Sequence, residues 1–223
     1  MPIYNVPLTT IDISETRRYA GLNKADFPAR LLEDACLEAQ LLAQAKGVWQ
    51  LYDYNNRTNT IITENFFTFE GKKIAAYLKE ADKIAVMAVT IGESFEKAVT
   101  EHFSRGSYSY AVLLDAAGTT AVEMAADQLS KTIGQYANKL GYTPLSRFSP
   151  GYGDWDITAQ PSVLELAHGS EAGIIVTESC MLVPRKSVTA VIGFVPHRKE
   201  PEKHSQNHCN HCSQQNCLAR KGE

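Results

Sequence analysis

The stretch AAGTTAVEMAADQLSKTIGQYANKL, residues Ala116–Leu140, carries the fold in its spacing. Val122, Ala126, Leu129, Ile133 and Tyr136 recur at steps of four and three, which draws one continuous apolar stripe along a helix. The periodicity predicts a long helix buried along one side. Glu123 stands one residue, roughly 100°, around from the stripe centre. It therefore belongs to the helix flank, where an acid either meets only water or lines a cleft.

Strand-like segments surround this helix. Ile84–Ile91 is apolar on both faces, the pattern of a central buried strand. Gly173–Thr177 and Ser187–Val195 read as two further buried strands. Val48–Tyr54 and Ile61–Phe69 are rich in β-branched and aromatic residues on either side of the polar run Asn55–Asn59, which predicts a hairpin. Leu31–Ala45 reads as a second helix, with Asp26 as its cap, Pro28 in its first turn and Gly47 at its end. Gly92-Glu93-Ser94 opens a third, burying Phe95, Ala98, Val99 and Phe103. Strands and long helices in irregular order predict an α+β (mixed α/β) fold. The expected architecture is a single domain, residues 1–195, of helices packed on a mostly antiparallel or mixed sheet. A polar tail, residues 196–223, has too few apolar residues for a core of its own.

The composition suits such a domain: 223 residues, 44% hydrophobic and 21% charged. A net charge of −3 argues against a nucleic-acid partner, which favours a basic face. No apolar run approaches the roughly 20 residues of a membrane span, and Met1–Thr10 lacks a basic region followed by an apolar one. The expectation is a cytoplasmic protein with no membrane partner.

Three segments carry candidate chemistry. The first is Arg147-Phe148-Ser149-Pro150-Gly151-Tyr152-Gly153-Asp154-Trp155. Pro presets φ and Gly accepts positive φ, so Pro150-Gly151 bends the chain. The bend can aim Arg147, a fork for carboxylate or phosphate, and the Tyr152 ring into one cleft. The blander alternative is a surface turn with one anchoring ring. The second is Thr177-Glu178-Ser179, polar residues directly after an apolar strand, a common ligand position. Alternatively, Glu178 pairs with Arg185 or Lys186 and merely closes a loop. The third is the tail cluster His208, Cys209, His211, Cys212 and Cys217. Cys-x2-Cys-x4-Cys with nearby imidazoles offers soft ligands for zinc or an iron–sulfur cluster. His102 and His168 are isolated and read as structural.

Arg147-x-x-Pro150-Gly151-Tyr152, followed by Thr177-Glu178-Ser179, Pro184 and Ser187-Val188, resembles the activation domain of vitamin B12-dependent methionine synthase. The likeness runs from about Asp115 to Gly193. Upstream, Glu15–Leu22 is similar to free-standing relatives of that domain. The resemblance implies binding of S-adenosylmethionine beside a corrinoid protein. It also implies reductive methylation of inactive cob(II)alamin there, with an electron from a flavodoxin-like donor. In that picture Arg147 clamps the methionine carboxylate and Pro150-Gly151 offers backbone groups. Tyr152 lies against the sulfonium or adenosine, Glu123 meets the ligand's polar groups, and Glu178 forms a strand-end wall. The chain has no room for the cobalamin, homocysteine and folate modules. It would therefore be a methyltransferase component of methionine biosynthesis acting in trans, on a cobalamin-binding methionine synthase or another corrinoid protein. Two departures stand out: no tyrosine follows the Ser187-Val188 strand, and the Cys-rich tail is foreign to the integral domain. Two other roles remain open: a non-catalytic corrinoid-protein partner, and a metal or iron–sulfur electron-transfer accessory. Anaerobic purification separates the last of these. Metal or a cluster chromophore should accompany the wild-type chain and vanish when Cys209, Cys212 and Cys217 are changed to Ala. A colourless, metal-free wild-type protein would refute it.

Overall fold

The computed structural model describes residues 3–23, 27–63 and 66–197. In chain order the elements are β1 (Tyr4–Asn5), α1 (Ile13–Tyr19), α2 (Ala29–Leu42), β2 (Lys46–Asn55), β3 (Thr60–Ile61), β4 (Phe67–Thr68), α3 (Lys72–Leu78), β5 (Lys83–Thr90), α4 (Glu93–Ser104), α5 (Tyr108–Lys139), β6 (Tyr142–Pro144), α6 (Gln160–Leu166), β7 (Ile175–Val176), β8 (Leu182–Val183) and β9 (Ser187–Pro196). The main sheet runs β4-β3-β2-β5-β9-β6, with β1 beside β2. Its pairings are all antiparallel, as is the separate β7–β8 ribbon. This is the expected α+β architecture.

Strand β5 is central because both of its faces are apolar. Ala85, Met87, Val89 and Ile91 pack toward α5 with Phe95, Val99 and Leu129. Ile84, Val86 and Ala88 pack the other way, with Ile74, Leu78, Phe148 and Trp155. The result is three layers: α5 with α1, α2 and α4 on one face of the sheet, and α3, α6 and the Trp155 turn on the other.

Several expected boundaries shift. Helix α5 begins at Tyr108, a full two turns before Ala116, and its 32 residues span about 48 Å. Tyr136, placed in its apolar stripe, is 37% exposed and meets Trp49 edge-on at 5.2 Å. Helix α2 ends at Leu42, so Gly47 does not stop it; Gly47 lies within β2. A Cβ there would sit 2.7 Å from Leu129 Cδ2, so this glycine lets α5 lie flush on the sheet. Asp26, the expected cap of α2, lies outside the described residues. Residues 61–69 do not form one strand: Thr60 pairs with Thr68 across the short β3–β4 ribbon. Phe103 is 41% exposed and so leaves the apolar face expected for α4. Ile175 in β7 is also exposed, so the strand expected as buried over Gly173–Thr177 is a two-residue edge ribbon. Strand β9 continues through Pro196, which pairs with Tyr142.

Two local features yield measurable consequences. A Cβ on Gly118 would lie 2.2 Å from Phe95 Cε1, and the Phe95 ring is fully buried. Alanine gains about 1 kcal/mol over glycine in a helix, but overpacking a fixed ring costs about 1–3 kcal/mol. Gly118→Ala should therefore lower the melting temperature. Gly134→Ala, whose Cβ meets only the Pro144 ring, at 3.3 Å from Cγ and 3.9 Å from Cβ, should leave it unchanged or raise it.

The second feature is a cap made across the chain. Asp154 accepts from the Lys72 and Lys73 backbone N–H groups at 2.8 and 2.9 Å and so closes the start of α3, whose own cap position is Gly71. Those bonds, the Lys73 one foremost, hold its carboxyl below the ordinary carboxylate range. A depressed native pKa means the stabilisation is complete above about pH 4 and is lost on further acidification. Asp154→Ala should melt earlier than wild type at pH 7, and the gap should close as the pH falls below about 4.

Candidate functional site

Arg147 reaches the flank of α5 because of the way its segment is strapped to the sheet. Leu145 N donates to Gly193 O at 2.8 Å, and Phe148 exchanges both backbone bonds with Val191 at 3.0 and 2.8 Å. In an extended strap neighbouring side chains point to opposite faces. Phe148 enters the Trp155 side of the core, and Arg147 turns toward α5. There Arg147 Nη2 donates to Glu123 Oε2 at 3.1 Å and to Asp127 Oδ1 at 2.6 Å. The two acids sit one helical turn apart on the same face. Burial works against the charge on Arg147, but Glu123 and Asp127 outweigh it and hold the guanidinium pKa above its ordinary value.

The Pro150-Gly151 turn closes as expected: Tyr152 N donates to Ser149 O at 3.1 Å, and Gly151 takes φ of +87°. Gly151 N donates to Trp155 O at 2.8 Å. Both N–H groups are thus consumed inside the turn. The backbone groups that Pro150-Gly151 is expected to offer a ligand therefore do not include these two N–H groups. Two rings anchor it rather than one. Trp155 is 2% exposed and meets Phe69 at 5.4 Å, and Phe148 meets Tyr77 at 5.2 Å. The Tyr77 hydroxyl donates to Ser146 O, and burial pushes its pKa up. Tyr152 rides on this base, 51% exposed.

Helix α1 supplies another wall. Thr16 Oγ1 bonds Thr120 Oγ1 at 3.0 Å and docks α1 on α5. Arg18 stacks on Tyr19 at 4.2 Å and pairs with Glu15 at 2.6 Å. Burial, and secondarily the Glu123 charge, raise the Tyr19 pKa, so its phenol stays a neutral donor. Arg18 Nη1 is buried with no hydrogen-bond partner among the described residues.

Sequence reasoning missed Asp127, Arg18 and Tyr19. Lys186, expected as an alternative partner of Glu178, instead lies with its Nζ 2.9 Å from Asp115 and donates to Thr119 at 2.8 Å. The signal was present: Asp115, Thr119, Glu123 and Asp127 recur every fourth residue, a polar ladder beside the apolar stripe. Glu178 is exposed at the tip of the β7–β8 ribbon, and no hydrogen bond or ion pair joins it to Arg147 among the described residues. Its expected alternative partners are taken by others: Arg185 pairs with Glu96 and Lys186 with Asp115. His102 bonds Glu38 at 3.0 Å, in keeping with a structural role. Cys209, Cys212, Cys217, His208 and His211 lie outside the described residues. Among those described, no three His, Cys, Asp or Glu side chains converge as a metal site, and no helix is long and apolar enough to cross a membrane. A cavity of about 480 Å³ beside Tyr52, Phe67, Leu166 and His168 shares no residue with the Arg147 cluster.

No protein-family profile and no curated protein sequence matches this chain. Among solved structures, the MetH reactivation domain bound to AdoHcy superimposes with a TM-score of 0.64 at 18% identity, covering 90% of this chain and 81% of that one. The two share a fold.

Proposed function

We propose that this chain binds S-adenosylmethionine and serves the reactivation of a cobalamin-dependent methyltransferase of the methionine synthase type, acting on a separate corrinoid protein. The observation that carries the reading is the Arg147–Glu123–Asp127 cluster, at 3.1 and 2.6 Å. It lies in a chain that shares its fold with a domain captured with AdoHcy. The donor set fits the ligand. An α-amino acid head group carries one carboxylate and one ammonium, and the cluster holds one cation and two anions. The orphaned Arg18 Nη1 adds a buried donor on the neighbouring helix.

In this reading Arg147 holds the methionine carboxylate and Glu123 receives the ammonium. Tyr152 presents its ring to the sulfonium or the adenosine, where an aromatic face favours a cation or a flat base. Pro150 and Gly151 shape the corner, and Glu178 contributes only if the β7–β8 ribbon folds toward it. After one electron from a flavodoxin-like donor reduces the partner's cob(II)alamin, the sulfonium methyl passes to cobalt and the thioether leaves. No residue of this chain needs to move a proton; its work is to orient the methyl group. The tail cysteines, as zinc or cluster ligands, would add an electron relay or a structural site.

Calorimetric titration of S-adenosylmethionine tests the reading. Wild type should bind and melt higher with ligand. Arg147→Ala should weaken binding about 10- to 100-fold, the effect of losing a charge-assisted bond of about 1.5–3 kcal/mol. Arg147→Lys should fall between, since it keeps the charge and loses the fork. No wild-type binding at millimolar ligand would overturn the proposal.

A further inference from the structure

Both acids of the cluster bond the same guanidinium nitrogen, Nη2 of Arg147. Each two-point edge of a guanidinium that faces outward includes that nitrogen. A ligand carboxylate can therefore take a forked grip only by displacing one acid. Asp127 is the more exposed of the two, 54% against 35% for Glu123, and so is the freer to yield. A displaced Asp127 leaves the cluster with one anion in excess, and only the exposed Lys131, one turn along α5, can reach it on the same helix. A ligand bringing a second positive charge satisfies it, and a neutral one does not.

The local charge census sharpens the point. Along α1 and its cap, Asp12 and Glu15 balance Arg17 and Arg18, and Asp115 and Lys186 cancel. Tyr19 is neutral. Arg147, Glu123 and Asp127 leave one net negative charge, while Lys131, one turn further along α5, is exposed. S-Adenosylmethionine carries one net positive charge, and its thioether product carries none.

We propose that Asp127 is a specificity-determining residue that makes the site prefer a cationic sulfonium ligand over the neutral thioether of the same shape. The inference rests on the function proposed above and extends it to product release: methyl transfer removes the charge that Asp127 recognises. At a partly exposed site, one unit charge at roughly 6–8 Å corresponds to about a 3- to 10-fold preference. Paired titrations of S-adenosylmethionine and S-adenosylhomocysteine test it. Wild type should favour the sulfonium by at least that factor. Asp127→Asn, which keeps an acceptor for Arg147 but removes the charge, should lower the ratio about 3- to 10-fold toward whatever preference the Tyr152 ring supplies, and Asp127→Glu should restore it. An unchanged ratio in Asp127→Asn, with both ligands still binding, would overturn this inference alone. Failure of wild type to bind either ligand would overturn the proposed function and this inference with it.

Discussion

Close contact between α5 and the sheet is the constraint on which the rest of the molecule depends. At Gly47 the strand has no side chain, and Leu129 of α5 occupies the space a Cβ would need, 2.7 Å away. At Gly118 the helix itself has none, and there the Phe95 ring of the neighbouring α4 fills the space at 2.2 Å, locking α5 from a second side. Ala117, Ala121, Ala125 and Ala126 complete an inner face of small, fully buried residues. A helix seated this tightly cannot roll about its axis. Its rotation fixes which residues form the flank, and at four-residue spacing those are Asp115, Thr119, Glu123 and Asp127. The polar ladder is thus positioned by apolar packing on the opposite side of the same helix.

The partner of that ladder is fixed just as firmly, from the other face of the sheet. Phe148 and Trp155 are buried in the second core layer, and Asp154 ties the turn to the start of α3. The strap alternates, so burying Phe148 leaves Arg147 pointing toward α5. Two separate cores, one on each face of β5, thereby set the distance between a cation and two acids. Substitutions in either core can disturb the site without touching it.

Much of this was legible in the sequence, for physical reasons that differ by element. The central strand Lys83–Thr90 was visible because a strand buried on both faces is apolar at every position. The Pro150-Gly151 turn was visible because its φ requirement selects those residue types. The early start of α5 was not: Tyr108 and Val112 are exposed, so the first turns lack a clean stripe. Gly47 was misread because glycine marks both a helix stop and a close approach, and only the packed Leu129 distinguishes them. Asp127 was overlooked because acids on helix flanks are usually solvated, and its significance depends on an arginine 20 residues away. The exposed position of Glu178 depends on the β7–β8 pairing that carries it, which local patterning does not encode.

The cluster also limits where binding strength for an amino-acid ligand can originate. Arg147 is already paired, so a ligand carboxylate exchanges one ion pair for another instead of creating one. The net gain from that exchange is small, as it is for most partly exposed ion pairs. What the head group secures is orientation and the demand for matched charge. Under the proposed function, most of the affinity has to come from contacts beyond the head group. The half-exposed Tyr152 ring, packed edge-on against Phe148, offers flat apolar area of that kind. A ligand that uses that ring as well as the proposed head-group site must be longer than an amino acid and carry a flat or cationic part.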